Sequence, residues 1–262
     1  MGSWVLYLLS FSLWFPGFHD NMPVDIPHVN TAFQPGEVLY FDVAYGWIKG
    51  GEASMVIDLV PVGYDYLYHV KAEARATGLF AVFSPIEDIY ESYIDVASGL
   101  PVKAIRNIRE NDYTRYNELL FFRDRHFIRS LHSGDHPAPA NTLDILSAFY
   151  FARRYLFSND LEINQVITLY TFFDEQFLDI RIRYKGKETV HTRFGRVRCL
   201  KFVPDITDNK TFTSEKQLQM WVTDDRNFIP VKIKARLPIG SLKCVLTGFN
   251  GLKDPNGLLK VE

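Results

Sequence analysis

Apolar and polar residues alternate with a period of two through most of this chain, and that restricts it to a fold built from sheets. In "FDVAYGWIKGGEASMVI", residues 41–57, Phe41, Val43, Tyr45 and Trp47 share one parity. After a Lys-Gly-Gly break, Ala53, Met55 and Ile57 share one parity again. Strand side chains point alternately to the two faces of a sheet. The stretch is therefore read as a half-buried strand, a turn at Lys49–Gly51 and a second half-buried strand. Similar patterns recur in "YDYLYHVKAEARAT", "VKAIRNIRE", "YTRYNELLFFR", "QVITLYTFF", "RVRCLKFVP", "FIPVKIKARL" and "SLKCVLTGF". "SPIEDIYESYIDV" fits a capped helix as well as a strand and is read as a strand. About thirteen strands result, and an antiparallel sheet of that size must curl or close.

"GLFAVF" is a short apolar piece of one or two helical turns. One long helix is predicted over residues 142–156, in "NTLDILSAFYFARRYLF". Asn141 can cap it, and Asp144 sits in the first turn, where the helix dipole favours a negative charge. Ile145, Leu146, Phe149, Ala152 and Leu156 form its apolar stripe. Arg153 and Arg154 suit its negative pole. The predicted fold is mainly β: a large curled or barrel-like antiparallel sheet with one major α-helix packed on or in it.

The N-terminal run from residue 4 to residue 17 carries no charge. It is short for a membrane span and suits the core of an export signal. The chain is divided into a signal peptide at 1–20, a polar linker at 21–34, one β-rich domain at 35–250 and a tail at 251–262. The 29 basic and 31 acidic residues nearly cancel, and nucleic-acid binding would call for a basic domain. No cofactor motif is present. Cys199 and Cys244 lie in strands expected to form a four-strand meander, three strand steps apart. At roughly 4.8 Å per step that is about 14 Å, too far for a disulfide, so two free thiols are expected.

His132 and His136 flank a Gly-Asp in the Pro/Gly loop "HSGDHPAPA" and lack the third rigid ligand that a metal site needs. Glu87, Asp88, Glu91 and Asp95 are read as a solvated face, and Asp224 and Asp225 as a hairpin turn. No nucleophile motif or phosphate-binding glycine loop appears, so no catalytic residue is assigned. Two features remain. Arg181, Arg183 and Lys185 alternate with apolar residues on one strand, and Lys232, Lys234 and Arg236 do so on another. This is the wet face of a sheet or a basic strip for an anionic glycan or lipid headgroup. Tyr45, Trp47, Phe149 and Trp221 are oversized aromatics. They fill a closed core or line a cavity for an acyl chain, with the helix as lid or plug. The sequence leaves that choice open.

The blocks "FQPGEVLYFDVAYGWIKGGEASMVI", "DIYESYIDVASGLPVKAIRNIRENDY", "DILSAFYFARR", "RYKGKETVHTRFGRVRCLKF" and "WVTDDRNFIPVKIKARLPIGSLKCVL" resemble, in order and spacing, the bacterial family called domain of unknown function 3108, across residues 33–249. The resemblance implies an exported, periplasmic protein with a curled antiparallel sheet, similar in shape to the lipoprotein carriers of the bacterial envelope. It implies no chemistry. The function expected is a monomeric, non-enzymatic binding or carrier protein for an amphipathic or apolar envelope component, such as a lipid or acyl chain. A structural or assembly partner in envelope or surface-polysaccharide machinery, binding a protein or an anionic glycan, is the alternative. An unrecognised hydrolase ranks third.

Overall fold

The computed structural model describes residues 32–158, 160–204, 218–236 and 240–258. The predicted signal peptide and nearly all of the linker lie outside them. The chain forms a single 14-stranded antiparallel sheet. Its first half is a run of hairpins: β1 (Glu37–Tyr45), β2 (Ile48–Val62), β3 (Asp65–Ala76), β4 (Ile86–Asp95), β5 (Pro101–Glu110), β6 (Tyr113–Phe122), β7 (Phe127–Ser130) and β8 (Gly134–Pro137). A short helix, α1 (Gly78–Phe83), joins β3 to β4, and a long one, α2 (Ile145–Ser158), follows β8. The second half is β9 (Val166–Phe173), β10 (Gln176–Thr192), β11 (Gly195–Pro204), β12 (Leu218–Thr223), β13 (Pro230–Arg236) and β14 (Ser241–Asn250).

Sheet order is β8-β7-β6-β5-β4-β3-β2-β1-β14-β13-β12-β11-β10-β9. The two meanders are thus zipped together by β1 and β14, the first and last strands. The edges are β8 and β9, and the sheet curls until they approach without sharing a ladder. The backbone of Leu143 covers the β9 edge instead: its N–H donates to Tyr170 O, and its carbonyl accepts from the Phe172 N–H, both at 2.8 Å. An edge covered in this way no longer offers a template for another strand.

Helix α2 fills the curl. Ala148, Phe151 and Leu156 pack with Leu169, Leu200, Phe202 and Val222 of the second meander. Leu146 and Tyr150 pack with Ile57, Tyr68, Val70 and Ile94 of the first. Both sides of the helix are therefore buried, which is the placement of a plug rather than of a lid. The predicted stripe is rotated: Phe149 is half-buried, whereas Tyr150 and Phe151 are buried. The cap is Asp144, not Asn141. Its Oδ1 accepts from the N–H groups of Leu146 and Ser147, while Ser147 Oγ accepts the Asp144 N–H. This reciprocal pair is a capping box, and Ser92 Oγ ties it to β4 by donating to Asp144 Oδ2 at 2.6 Å. Burial nevertheless pushes the Asp144 carboxyl up, against those hydrogen bonds.

Several local expectations change. The β1–β2 turn falls at Gly46–Trp47, not at Lys49–Gly51, and Gly50 of β2 forms a bulge opposite Val43 and Ala44. Lys185-Gly186-Lys187 is a bulge within β10, and Gly186 has φ 95°. Part of the loop "HSGDHP" is the edge strand β8. Ala32 and Phe33, assigned to the linker, are buried against Tyr68 and Tyr150. Leu252 and Leu258 of the assigned tail are also buried. Asp88, assigned to a solvated face, points inward and is 6% exposed, because in a strand it takes the face opposite Glu87. The meander holds: β11, β12, β13 and β14 are consecutive neighbours, and both cysteines are free. Burial pushes each thiol up to about 12, which makes them poor nucleophiles.

Candidate functional site

The interior polar site forms where the curled sheet meets itself. The β9–β10 turn consists of Asp174 and Glu175, with φ 50° and 66°. Two consecutive positive φ values belong to the tight hairpin turn that matches strand twist, where Asn-Gly is usual. The acidic pair faces β5, β6 and β7. Asp174 Oδ1 accepts from Arg106 Nη1 at 2.6 Å and pairs with Arg115 Nη1 at 2.7 Å. Glu175 Oε1 accepts from Asn117 Nδ2 and from Ser130 Oγ. Phe172 packs with Ala104, Phe121, Ile128 and Ala138 just beneath. The barrel is therefore closed by a side-chain seam. Beside it lies a cavity of about 40 Å³, lined in part by Tyr90, Arg106, Arg115, Asp144, Phe173 and Glu175.

Two groupings in this region invite a chemical reading. Ser133 Oγ lies 2.6 Å from His136 Nε2 and donates to Glu175 Oε2. A hydrolytic relay needs the carboxylate on the other ring nitrogen, where it orients the base. Here Glu175 sits 3.8 Å from the same Nε2 and engages the hydroxyl itself, so no relay forms. The second grouping is Asp88 beside Glu110, 6% and 3% exposed. Burial, then the Glu110 charge, pushes the Asp88 carboxyl up to about 7. Neither carboxyl lines the cavity, and general acid–base catalysis needs a reachable substrate. Among the described residues no cluster of three or more metal-ligating side chains forms.

The sequence points to Asp174 and Glu175 through one signal: an acidic pair in a two-residue hairpin loop that lacks glycine and asparagine. Arg106, Arg115 and Glu110 have no such signal, since a charged residue on a strand ordinarily faces water.

The four aromatic candidates do not converge. Trp221 is 4% exposed in a core cluster with Leu39, Phe41 and Leu246. Phe149 belongs to the other side of the core. Tyr45 is exposed at the end of β1, and Trp47, at the hairpin tip, is 90% exposed. None lines the cavity. The inward face expected for Tyr45 and Trp47 is thus corrected. The turn begins three residues earlier than Lys49–Gly51, so Trp47 sits in the turn itself and Tyr45 just before it.

The basic residues lie on β10 (Arg181, Arg183, Lys185) and β13 (Lys232, Lys234, Arg236), with β11 and β12 between. Register pairs Lys201 with Trp221 and Trp221 with Lys232, so Lys201 bridges the two groups on one face. The ammonium groups of Lys201 and Lys232 lie 5.2 and 5.0 Å from the Trp221 ring centre. Asn164 anchors part of the β10 group, accepting from Arg183 and Lys185.

Among solved structures, a β-barrel-like protein of domain of unknown function DUF1849 from Brucella abortus is similar at TM-score 0.53 and 8% identity, covering 84% of this chain and 99% of that one. That likeness shows the fold. A candidate lipoprotein from Parabacteroides distasonis has TM-score 0.36 and 12% identity, with 85% and 100% covered. A candidate exported protein with a YmcC-like fold from Bacteroides fragilis has TM-score 0.35 and 10% identity, with 84% and 99% covered. No curated protein matches significantly. No helix among the described residues is long and apolar enough to cross a membrane. The family model described as "Protein of unknown function (DUF3108)" matches residues 40–247, and the chain belongs to that family.

Proposed function

We propose that this protein is an exported, non-enzymatic binding protein of the bacterial cell envelope that meets its partner on its outer surface. The occupied barrel carries this reading. Helix α2 is buried on both sides, and the seam cavity of about 40 Å³ is far below the ~300 Å³ at which ligand pockets begin. An acyl chain inside the barrel, the carrier expectation, would have to displace the helix. Large apolar side chains stand outside instead, at Trp47 and along α1, none of whose residues is buried. The uncharged run over residues 4–17 supports export. The Ser133–His136–Glu175 geometry and the inaccessible Asp88–Glu110 pair support a non-enzymatic role.

Native mass spectrometry with lipid extraction, on protein purified from its own envelope, tests this. The expected spectrum is a chain without stoichiometric lipid. A lipid retained one-to-one by the intact fold would return the protein to the carrier reading.

A further inference from the structure

One end of the barrel has the layered chemistry of an interfacial anchor. Its tip is apolar. Trp47 is 90% exposed, and Leu79, Val82 and Phe83 of α1 are 74%, 74% and 81% exposed. The two tips touch: Thr77 N–H donates to Gly50 O at 2.9 Å, and the Phe80 ring lies against Gly50, where a Cβ would come within 3.2 Å. Residues 76–86 carry no charge.

Beneath the tip, register sets charges in rows. The nearer row runs Lys234–Lys243–Ala44–Lys49 across β13, β14, β1 and β2. The next runs Lys232–Val245–Asp42–Glu52–Arg75–Glu87–Arg109 from β13 to β5. From β1 to β5 the charges answer one another: Lys49 pairs with Asp42 and Glu52, Arg75 with Glu52, and Arg109 with Glu87. On β13 and β14 they do not. Strands β12 to β14 hold Lys232, Lys234, Arg236 and Lys243 and no Asp or Glu. Lys234 and Lys243 stand directly opposite each other, an arrangement that is unfavourable for like charges. The Lys243 ammonium donates to Gly46 O at 3.1 Å, at the foot of Trp47. The positive patch therefore adjoins the apolar tip.

We propose that this end docks on an anionic phospholipid bilayer. Trp47, Leu79, Val82 and Phe83 enter the boundary between headgroups and acyl chains, and Lys232, Lys234, Arg236 and Lys243 lie at the level of the phosphates. Charge complementarity selects this occupant: an apolar tip alone would suit any greasy surface, but a tip flanked by basic residues on strands that carry no Asp or Glu fits an anionic bilayer. The inference rests on the surface-binding reading above and names its partner.

The test is flotation of the full chain with phosphatidylcholine vesicles, with and without phosphatidylglycerol. The wild type is expected to float with the anionic vesicles, less so as salt rises. Val82→Ser/Phe83→Ser should float about tenfold less or worse. Lys234→Gln/Lys243→Gln should lose about tenfold, together with most of the salt dependence. Comparing variants with the wild type removes any contribution of the apolar N-terminal run. Wild-type levels of flotation by both variants would overturn the proposal. So would binding to a soluble anionic polysaccharide such as polygalacturonate without flotation, or a dimer lost in Val82→Ser/Phe83→Ser with no vesicle binding. Failed flotation leaves the surface-binding reading standing; a lipid held one-to-one inside the barrel defeats that reading by itself.

Discussion

Replacing Arg153 by methionine is expected to cost about 3–5 kcal/mol of folding stability, the usual consequence of removing one partner of a buried ion pair. Arg153 and Glu37 are 1% and 0% exposed, and the guanidinium holds both carboxylate oxygens, at 2.6 and 2.8 Å. It also donates to the carbonyls of Ala32 and Asn227, and the rings of Phe33, Phe149 and Tyr150 surround it at 5.2–5.8 Å. One side chain thus fastens the plug to β1, to the chain entering β1 and to the β12–β13 connection. Methionine leaves the Glu37 carboxylate buried without its partner, and that desolvated charge is the main loss. Urea unfolding of Arg153→Met should show it, and Glu37→Met in the same chain should restore most of the deficit. A single variant within 1 kcal/mol of wild type would mean that α2 is not anchored this way.

The second large effect is a gain. Asp88 is held protonated to about pH 7 in the folded state, first by burial and then by the Glu110 charge, whereas its ordinary value is 3.8. Between those values the folded state binds more protons than the unfolded chain, so this group's contribution to stability falls as pH rises through the window. Asp88→Asn removes that loss. The amide oxygen can still accept the Arg109 N–H, as Oδ1 now does at 3.3 Å, and its NH₂ can donate to Glu110. The variant should be about 2–4 kcal/mol more stable than wild type near pH 8, with the difference fading toward pH 4. Equal stability at pH 8, or a less stable variant, would contradict the pairing of these two carboxyls.

Such features show what the sequence could and could not reveal. The strands other than β8, the meander from β11 to β14 and the position of α2 follow from local alternation and turn residues and are legible. Choosing Asp144 over Asn141 as the cap was not, because both types cap helices; Ser147 and the Leu143 contact with β9 decide it. Arg153 looked like a dipole partner at a helix end because Glu37, which accounts for its burial, lies 116 residues away. Trp47 reads as inward because alternation alone does not place the turn at Gly46–Trp47, ahead of the glycines. The charge pattern of the basic strip was visible, but its position beside an apolar tip depends on β14 pairing with β1, a closure that joins the two ends of the chain.

That the barrel is filled by its own helix, and therefore binds on its outside, is tested most directly by titrating a fluorescent fatty acid into the wild type and into Val82→Ser/Phe83→Ser, which lacks the apolar tip. Helix α2 packs with Leu200, Phe202 and Val222 on one side and with Ile57, Val70 and Ile94 on the other, and that is the space a guest would have to take. The filled barrel predicts no saturable rise in probe emission with the tip variant. A saturable one-to-one rise of equal size in both proteins would show that the interior accepts a ligand.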